Sequence, residues 1–246
     1  MRLDTITQTE STNSLLRKWI IERRSLNLEV FSPWAIAADF QTAGRGAGEN
    51  KWYSSRGKNI LTSIFFEPKI HASQQFVFNI FFSVASRDLI AEQLPDVKIK
   101  WPNDIFVNNK KIAGILIEHS VKGSNLDFSI AGIGININED SFPKEIPNPT
   151  SLLLENKNCD CKKVLNRFLN ILDERFPLLA SHSKESLQNE YLKNLYRLDE
   201  KHYFIYKNKT FQGIIRGIDE FGRLLVEDCS NNNINSYEYK QISYVI

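Results

Sequence analysis

Four stretches of the chain repeat apolar residues every three or four positions, the spacing that places side chains on one face of a helix. In the first stretch, Leu16 and Ile20 follow Ser11-Thr12-Asn13, whose hydroxyl and amide groups can cap a helix N-terminus. The second stretch ends at Pro95, which cannot continue a helix. The pattern predicts helices over residues 12–24, 73–94, 161–179 and 183–196.

Short apolar runs bounded by polar or turn residues predict β-strands. Asn108-Asn109 and Lys122-Gly123-Ser124-Asn125 suit tight hairpin turns, because asparagine and glycine tolerate positive φ. Consecutive hairpins imply a largely antiparallel sheet. The predicted strands are residues 34–38, 59–66, 97–101, 105–107, 111–119 and 126–136, and an ordered surface crossing is expected over 141–150.

The last part of the chain has a different pattern, with short strands and closely spaced turns. Lys207-Asn208-Lys209 and Glu220-Phe221-Gly222 separate apolar runs at residues 203–206, 211–218, 223–226 and 237–246. This pattern predicts a small all-β barrel of about fifty residues. The expected fold class is α+β: a mixed, largely antiparallel sheet flanked by helices over residues 1–198, followed by the barrel over 199–246.

Composition excludes some classes of function. The formal net charge is +2, from 31 basic and 29 acidic residues, which gives no general electrostatic reason to bind nucleic acid or membranes. No run approaches the ~20 apolar residues that span a bilayer. Cys159, Cys161 and Cys229 are a sparse, odd set without a second Cys or His pair at a partner spacing. We therefore expect a cytoplasmic protein without a metal site of its own.

A glycine-bearing polar loop joins the first two predicted strands. In Gln41-Thr42-Ala43-Gly44-Arg45-Gly46-Ala47-Gly48, three glycines in five residues let backbone N–H groups approach a ligand. Arg45 adds a permanent cation suited to a carboxylate or a phosphate. A plain flexible loop with one exposed arginine is the alternative, and the spacing matches neither a Walker A motif nor a dinucleotide fingerprint.

Three further segments carry candidate chemistry. Lys100-Trp101-Pro102-Asn103-Asp104 ends a predicted strand in a rigid polar corner, or in an ordinary proline turn. Lys111 stands at the mouth of an apolar strand, where a merely solvated lysine is the alternative, and Glu118 could orient it or be a simple hairpin residue. Gly132-Ile133-Gly134-Ile135-Asn136 leaves one strand face bare, for a flat ligand or for close packing of another element.

Together and in this order, these segments resemble the catalytic core of the biotin protein ligases. That family carries a Ser-Thr-Asn segment, a Gly-Arg-Gly loop, Lys-Trp-Pro-Asn-Asp, Lys-x-Ala-Gly-Ile-Leu-x-Glu and Gly-x-Gly-x-Asn, and each has a counterpart here. The segment over residues 213–219, followed by Gly222, resembles the family's C-terminal SH3-like barrel. The resemblance implies the fold of class II synthetases and biotin or lipoate ligases.

The resemblance also implies an activity: formation of biotinyl-5′-AMP from biotin and ATP, and transfer of biotin to a lysine of a carboxyl carrier domain of the acetyl-CoA carboxylase type. It implies catalytic roles for Arg45 and Lys111, which together with Mg²⁺ would stabilise charge on two anionic reactants. The implied biotin-side residues are Ser11, Thr12, Asn13, Gln41, Arg45, Gly46, Ala47, Lys111, Gly114, Gly132 and Gly134. The implied ATP-side residues are Lys100, Asn103, Asp104, Trp52, Asn136 and Arg216.

The glycine loop departs from the family pattern, which reads approximately Gly-Arg-Gly-Arg-x-Gly-Arg-x-Trp. Ala47 stands in place of the second arginine, and a shifted glycine and Glu49 alter the flexibility and charge of the loop. We therefore expect the adenylate intermediate to be retained less tightly than in arginine-rich relatives.

Other interpretations of the sequence remain. Lipoate ligases share the fold and the adenylate chemistry, although the segment over residues 100–104 together with Arg216 favours biotin. A non-catalytic biotin or adenylate sensor would have less need of Arg45 and Lys111. Because the motifs begin within a dozen residues of Met1, we expect a single-function enzyme without a helix-turn-helix domain and without DNA binding. Self-association as a homodimer is expected at an exposed strand of the central sheet.

Overall fold

Two β-sheets and four α-helices make up the fold in the computed structural model, which describes residues 1–179 and 184–245. The first sheet contains β1 Arg2–Ile6, β2 Trp34–Ala38, β3 Ile60–Phe66, β4 Lys98–Lys100, β5 Asp104–Val107, β6 Lys110–Lys122 and β7 Asn125–Ile135. The second contains β8 Lys201–Tyr206, β9 Lys209–Ile218, β10 Leu224–Asp228, β11 Ile234–Tyr237 and β12 Ile242–Tyr244. The helices are α1 Thr12–Ser25, α2 Phe76–Ala91, α3 Cys161–Arg175 and α4 Lys184–Lys193, with 3₁₀ segments at Ala72–Gln74 and Phe176–Leu179.

The first sheet has the strand order β1-β2-β3-β7-β6-β5-β4, and every neighbouring pair is antiparallel except β1 with β2. The predicted hairpin turns are present, with φ of 48° at Asn108, 63° at Asn109 and 64° at Gly123. These left-handed values explain why asparagine and glycine occupy the turns. The largely antiparallel sheet expected from the sequence is confirmed.

The edge strand β1 is not predicted by the sequence pattern. Arg2 and Asp4 interrupt the apolar positions of this five-residue strand, and a parallel pairing leaves no local hairpin signal. Distant residues hold it in place: Trp34 Nε1 donates to Asp4 Oδ2 at 2.5 Å, and residues 2–6 pair in register with β2. Only these tertiary contacts identify the strand.

Helices cover both faces of the first sheet, and each face has its own core. On one face, α1 places the fully buried Leu16 and Ile20 against Ile36, Phe65 and Ile130. On the other, α2 lies between the sheet and helices α3 and α4, which explains why most of its residues are buried. None of the described helices is long and apolar enough to cross a bilayer.

The helices predicted over residues 12–24, 73–94 and 161–179 are confirmed with shifted bounds, the second because a 3₁₀ turn precedes α2 and the third because α3 ends in a 3₁₀ turn. The fourth predicted helix starts at Ser183, which lies outside the described residues. Its described part begins at Lys184 and ends at Lys193, earlier than expected.

The second sheet has the strand order β11-β10-β9-β8-β12 and is antiparallel throughout. The predicted turn at residues 207–209 has left-handed φ values of 47° and 61° at its first two residues. The prediction of one strand over 237–246 is wrong, because β11 ends at Tyr237 and a turn at residues 238–241 precedes β12. Trp101 Nε1 donates to Gly222 O at 2.8 Å and joins the two sheets. The domain boundary between residues 198 and 199 stays a prediction.

Candidate active site

A hollow lies on the α1 face of the first sheet because two neighbouring strands present glycines there. The register places Gly134 of β7 opposite Gly114 of β6, with Gly132 two residues away on the same face. A Cβ built on Gly132 would collide with the side chain of Asn13, and one built on Gly134 would collide with the indole of Trp52. The bare strand face is thus covered partly by a helix side chain and partly by the glycine loop.

The first turn of α1 brings a buried polar cluster to the edge of this hollow. Ser11, Thr12 and Asn13 are each no more than 5% exposed. Ser63 Oγ lies 2.7 Å from Thr12 Oγ1 and 2.5 Å from Asn13 Oδ1. Gln41 Oε1 accepts hydrogen bonds from Thr12 N at 2.7 Å and from Thr12 Oγ1 at 3.0 Å. The polar groups therefore hold one another in place.

The cap of α1 differs from the sequence prediction. Ser11 is the N-cap residue by its extended backbone, but its side chain makes no capping hydrogen bond. Gln41, from the glycine loop, supplies the acceptor for the N-terminal N–H of Thr12 instead. Ser11 instead lines the hollow.

Glu118 connects the α1 cluster to the cation of the glycine loop. Its Oε2 accepts hydrogen bonds from Asn13 Nδ2 and Arg45 Nη2, each at 2.9 Å. The sequence allowed Glu118 to be a simple hairpin residue or the partner of Lys111, and it is neither. Lys111 Nζ pairs with Asp104 Oδ1 at 2.6 Å. The two cations of the site are oriented by two different carboxylates.

The glycine loop folds into a tight hairpin that carries Trp52 onto the sheet. Trp52 N donates to Gly44 O at 2.9 Å, and Gly48 near the tip has the left-handed φ of 67°. The indole ring lies over Gly134, and its centroid is 5.7 Å from Lys111 Nζ. Its Nε1 is buried and has no hydrogen-bond partner within residues 1–179 and 184–245.

One cavity gathers most of the predicted site residues. Its walls include every predicted biotin-side residue and, from the predicted ATP side, Trp52, Asn103 and Asp104. The other lining residues are not among the predicted site residues; they are Asn50, Lys51, Leu61, Thr62, Ile115, Leu116, Ile133 and Tyr239. Hydroxyl and amide groups suit a neutral polar ligand head, while Arg45 and Lys111 suit an anion.

Lys100 and Arg216, both predicted on the ATP side, do not line this cavity. The Lys100 amine is 4.9 Å from the centroid of the Tyr244 ring, and burial lowers the pKa of this amine. Arg216 is exposed on β9, where its guanidinium pairs with Asp199 and Glu227, each at 2.7 Å. The fold therefore brings neither side chain to the cavity wall.

Asn136, the third predicted ATP-side residue outside the main cavity, borders an adjoining pocket. Its Nδ2 donates to Thr150 O at 2.9 Å, and its Oδ1 is buried without a partner among the described residues. Trp52 and Lys111 line both the main cavity and this pocket, so the two spaces are neighbours.

Two contributions to the site carry no sequence signal. Ser63 lies within the apolar strand β3, and only the register of the sheet brings it beneath α1. Tyr239 belongs to a turn of the second sheet and lines the cavity while its ring packs on Trp101, with centroids 6.3 Å apart. Which turn of the second sheet faces the first sheet cannot be predicted from local patterns.

Comparison with known proteins agrees with this arrangement. Residues 6–136 match the Biotin/lipoate A/B protein ligase family, and residues 204–232 match the Biotin protein ligase C terminal domain. The chain belongs to the biotin/lipoate A/B protein ligase family. The first match contains the α1 cluster, the glycine loop and strands β6 and β7, so the ligase family segment carries the polar and glycine walls of the cavity.

Individual relatives in the ligase family extend over most of the chain. This chain is 30% identical over 197 residues to the bifunctional ligase/repressor BirA of Bacillus spizizenii, and the alignment covers 78% of this chain and 61% of that protein. This chain is 27% identical to the biotin acetyl-CoA-carboxylase ligase of Mycobacterium tuberculosis, over 92% of this chain and 83% of that protein. The structure of the biotin protein ligase from Aquifex aeolicus in complex with biotin and ATP superposes with a TM-score of 0.79 at 25% identity. The superposition covers 98% of this chain and 97% of the Aquifex chain. The chain spans about three fifths of the length of the Bacillus protein.

Proposed function

We propose that the protein is a biotin protein ligase, which joins biotin to AMP and then transfers biotin to a lysine of a carboxyl carrier domain. The observation that carries the proposal is the single cavity in which buried hydroxyl and amide groups, two oriented cations and a glycine floor meet. A carboxylic acid with a neutral polar head and an apolar chain suits this combination. The biotin and ATP named for the Aquifex relative support the same choice of substrates.

The α1 cluster is the proposed site for the ureido ring of biotin. The ring offers two N–H donors and a carbonyl acceptor, which complement hydroxyl and amide side chains. We assign these contacts to Ser11, Thr12, Asn13 and Gln41, which line one part of the cavity. The apolar chain of biotin then lies along β6 and β7 beside the Trp52 ring, with the loop at residues 45–47 as another wall.

The cations serve the first step of the proposed reaction. A carboxylate oxygen of biotin attacks the α-phosphorus of ATP, and the bond from that phosphorus to the pyrophosphate oxygen breaks. Both reactants are anions, so their repulsion and the developing charge need cations. We assign this role to Lys111, held by Asp104 at 2.6 Å, and to Arg45, held by Glu118 at 2.9 Å.

The second step uses a lysine of the carrier as the nucleophile. Its neutral ε-amine attacks the acyl carbon of biotinyl-5′-AMP, AMP leaves with the bonding electron pair, and the amine nitrogen loses a proton. A loop that covers the adenylate would keep water from hydrolysing this mixed anhydride. The hairpin that carries Trp52 is the proposed cover, since it already lies over the sheet.

The nucleotide is proposed to occupy the part of the cavity lined by Trp52, Asn103 and Asp104 and the adjoining pocket at Asn136. The flat indole suits stacking on adenine. The buried Oδ1 of Asn136 has no partner among the described residues and is an acceptor that a ligand N–H could satisfy.

Mg²⁺ enters the proposal together with ATP. Among the described residues, no group of three or more His, Cys, Asp or Glu side chains could hold a metal ion. Nucleotide sites commonly hold Mg²⁺ with one or two carboxylates plus phosphate oxygens. Asp104 is the carboxylate in the cavity that fits this role, and the ion would offset phosphate charge.

Compartment and self-association are also proposals. Cys159, Cys161 and Cys229 are free thiols, which supports a reducing compartment such as the cytoplasm. In the first sheet, β1 is an edge strand paired only with β2, whereas the outer edge of β4 bonds to residues 194 and 196. We propose β1 as the edge through which a homodimer forms, and sedimentation equilibrium that finds only monomer would overturn this.

The decisive experiment is incubation with biotin, Mg-ATP and a biotin carboxyl carrier domain. We expect biotin-dependent release of pyrophosphate and a mass increase on one carrier lysine, with about 100-fold slower release in Lys111→Ala. Lys110→Ala is the matched control, because Lys110 is the adjacent lysine in the sequence but is exposed and does not line the cavity. Turnover with lipoate instead of biotin would identify a lipoate ligase. Binding of biotin without any pyrophosphate release would identify a sensor.

A further inference from the structure

A lysine of the second sheet reaches the glycine loop. A Cβ built on Gly48 would collide with Lys240 Nζ, so the amine occupies the space that a side chain at the loop tip would take. Lys240 lies in the turn between β11 and β12, far from the loop in the sequence. The roles assigned above do not use this contact.

Two hydrogen bonds within the turn that carries Lys240 fix its shape. Glu238 N donates to Gln241 Oε1 at 2.9 Å, and Gln241 N donates to Glu238 O at 3.0 Å. Tyr239 lines the cavity, and the Lys240 amine is 5.9 Å from the centroid of that tyrosine ring. The second sheet therefore presents an aromatic ring to the cavity and a cation to Gly48 at the loop tip, next to Ala47 of the cavity wall.

The loop tip offers backbone donors beside this amine. The N–H groups of residues 47–49 make no hydrogen bond within residues 1–179 and 184–245, and Gly48 is left-handed. Successive unpaired N–H groups of this kind form a concavity that binds anions. Lys240 forms no salt bridge in the described chain, whereas Arg45 and Lys111 are each paired with a carboxylate.

We propose that Lys240 binds the phosphate chain of ATP together with the loop tip, supplying from the second sheet a cation at a tip where Ala47 and Gly48 carry none. The proposal rests on the proposed biotin ligase function, because ATP is the polyanion that this reaction brings to the cavity. Ala47 and Glu49 leave the loop with less positive charge than the family pattern, and Lys240 restores one charge beside them.

Lys240→Ala tests this proposal, with Lys207→Ala as the matched control. Lys207 belongs to the same sheet, also has a left-handed φ, and its amine also lies over the preceding tyrosine, at 5.1 Å from the Tyr206 centroid. We expect the KM for ATP to rise about tenfold in Lys240→Ala, with an unchanged KM for biotin. Lys207→Ala should match the unaltered protein. The same KM for ATP in both variants would overturn the proposal.

A second measurement separates a phosphate contact from a structural role of the turn. Ala47→Arg returns a cation to the loop, so Lys240→Ala should raise the KM for ATP less in that background than in the unaltered protein. Equal increases in the two backgrounds would overturn the proposal.

Calorimetric titration with inorganic pyrophosphate alone tests the anion site without biotin. We expect Lys240→Ala to weaken pyrophosphate binding about tenfold, and Lys207→Ala to leave it unchanged. Unchanged binding in Lys240→Ala would count against the phosphate contact. If the unaltered protein turns over no biotin, the proposed function fails, while this titration still decides the role of Lys240.

Discussion

Glu118 Oε2 lies 2.9 Å from Arg45 Nη2, and the same oxygen accepts a hydrogen bond from Asn13 Nδ2. One carboxylate on a long strand therefore orients both the cation of the glycine loop and an amide of the α1 cluster. Because β6 is paired on both sides, it provides a fixed reference for the more exposed loop. The position of Arg45 is thus set by the sheet.

Glu118→Gln keeps the size of the side chain and removes the charge that holds Arg45. We expect the KM for biotin to rise about tenfold, because the guanidinium is then free to turn toward solvent. Steady-state kinetics at saturating ATP measures this. Glu67→Gln is the control, since Glu67 pairs with Arg24 at 2.7 Å outside the cavity. An unchanged KM for biotin in Glu118→Gln would contradict the prediction.

Gly134→Ala adds a methyl group where the Trp52 ring lies. We expect the KM for ATP to rise about fivefold, because the new methyl group and the indole ring cannot occupy the same space and the ring is displaced. In a Trp52→Ala background the same substitution should add little, since its partner in the collision is gone. Steady-state kinetics of the unaltered protein, the two single variants and the double variant measures the coupling between the two substitutions. Additive effects would mean that the glycine is needed for a different reason.

Ala47→Arg restores the second arginine of the family loop pattern. We expect dissociation of biotinyl-5′-AMP to slow about tenfold, because a guanidinium adds charge-assisted hydrogen bonds to the phosphate. Chase of labelled adenylate with unlabelled adenylate gives the rate. Ala47→Gln is the control for added length without charge, and equal rates in the two variants would refute the role of the missing cation.

Burial lowers the pKa of His119 to about 4 from its usual 6.5. Below pH 6.5 the histidine therefore binds a proton in the unfolded chain but not in the folded protein. The free energy of unfolding falls as the pH drops toward 4. We expect this residue to contribute a loss of about 1.5 kcal/mol between pH 6.5 and pH 5. Urea unfolding of the protein and of His119→Gln at these two pH values isolates the effect. Identical losses in both would show that other groups cause it.

Elements with local signals could be predicted from the sequence, and those with distant partners could not. α1 and the turn at Asn108-Asn109 depend on residues within a few positions, and both are present. β1 depends on pairing with β2, about thirty residues away, and its own residues alternate too weakly to reveal it. The break between β11 and β12 depends on how the second sheet closes, which the run from Tyr237 onward does not record.

The site shows the same division. Residues in the motifs that resemble the ligase family converge on one cavity because strands β5, β6 and β7, which carry several of them, are neighbours in the sheet. Lys100 and Arg216 share those motifs yet point elsewhere, since a motif does not state the direction of a side chain. Tyr239 faces the cavity without belonging to a motif. The position of the second sheet relative to the first decides this, and no short segment encodes it.

The buried indole N–H of Trp52 makes the intrinsic fluorescence of this tryptophan sensitive to ligand binding. A buried donor without a partner costs about 1–3 kcal/mol, so the ring gains a hydrogen bond when it moves into water or meets a ligand acceptor. Of the four tryptophans, Trp19 and Trp34 stack on each other at 5.7 Å, and Trp101 is bonded to the second sheet, so only Trp52 borders the cavity. Its emission should therefore shift when the site fills, and unlabelled ligands can be ranked by intrinsic fluorescence.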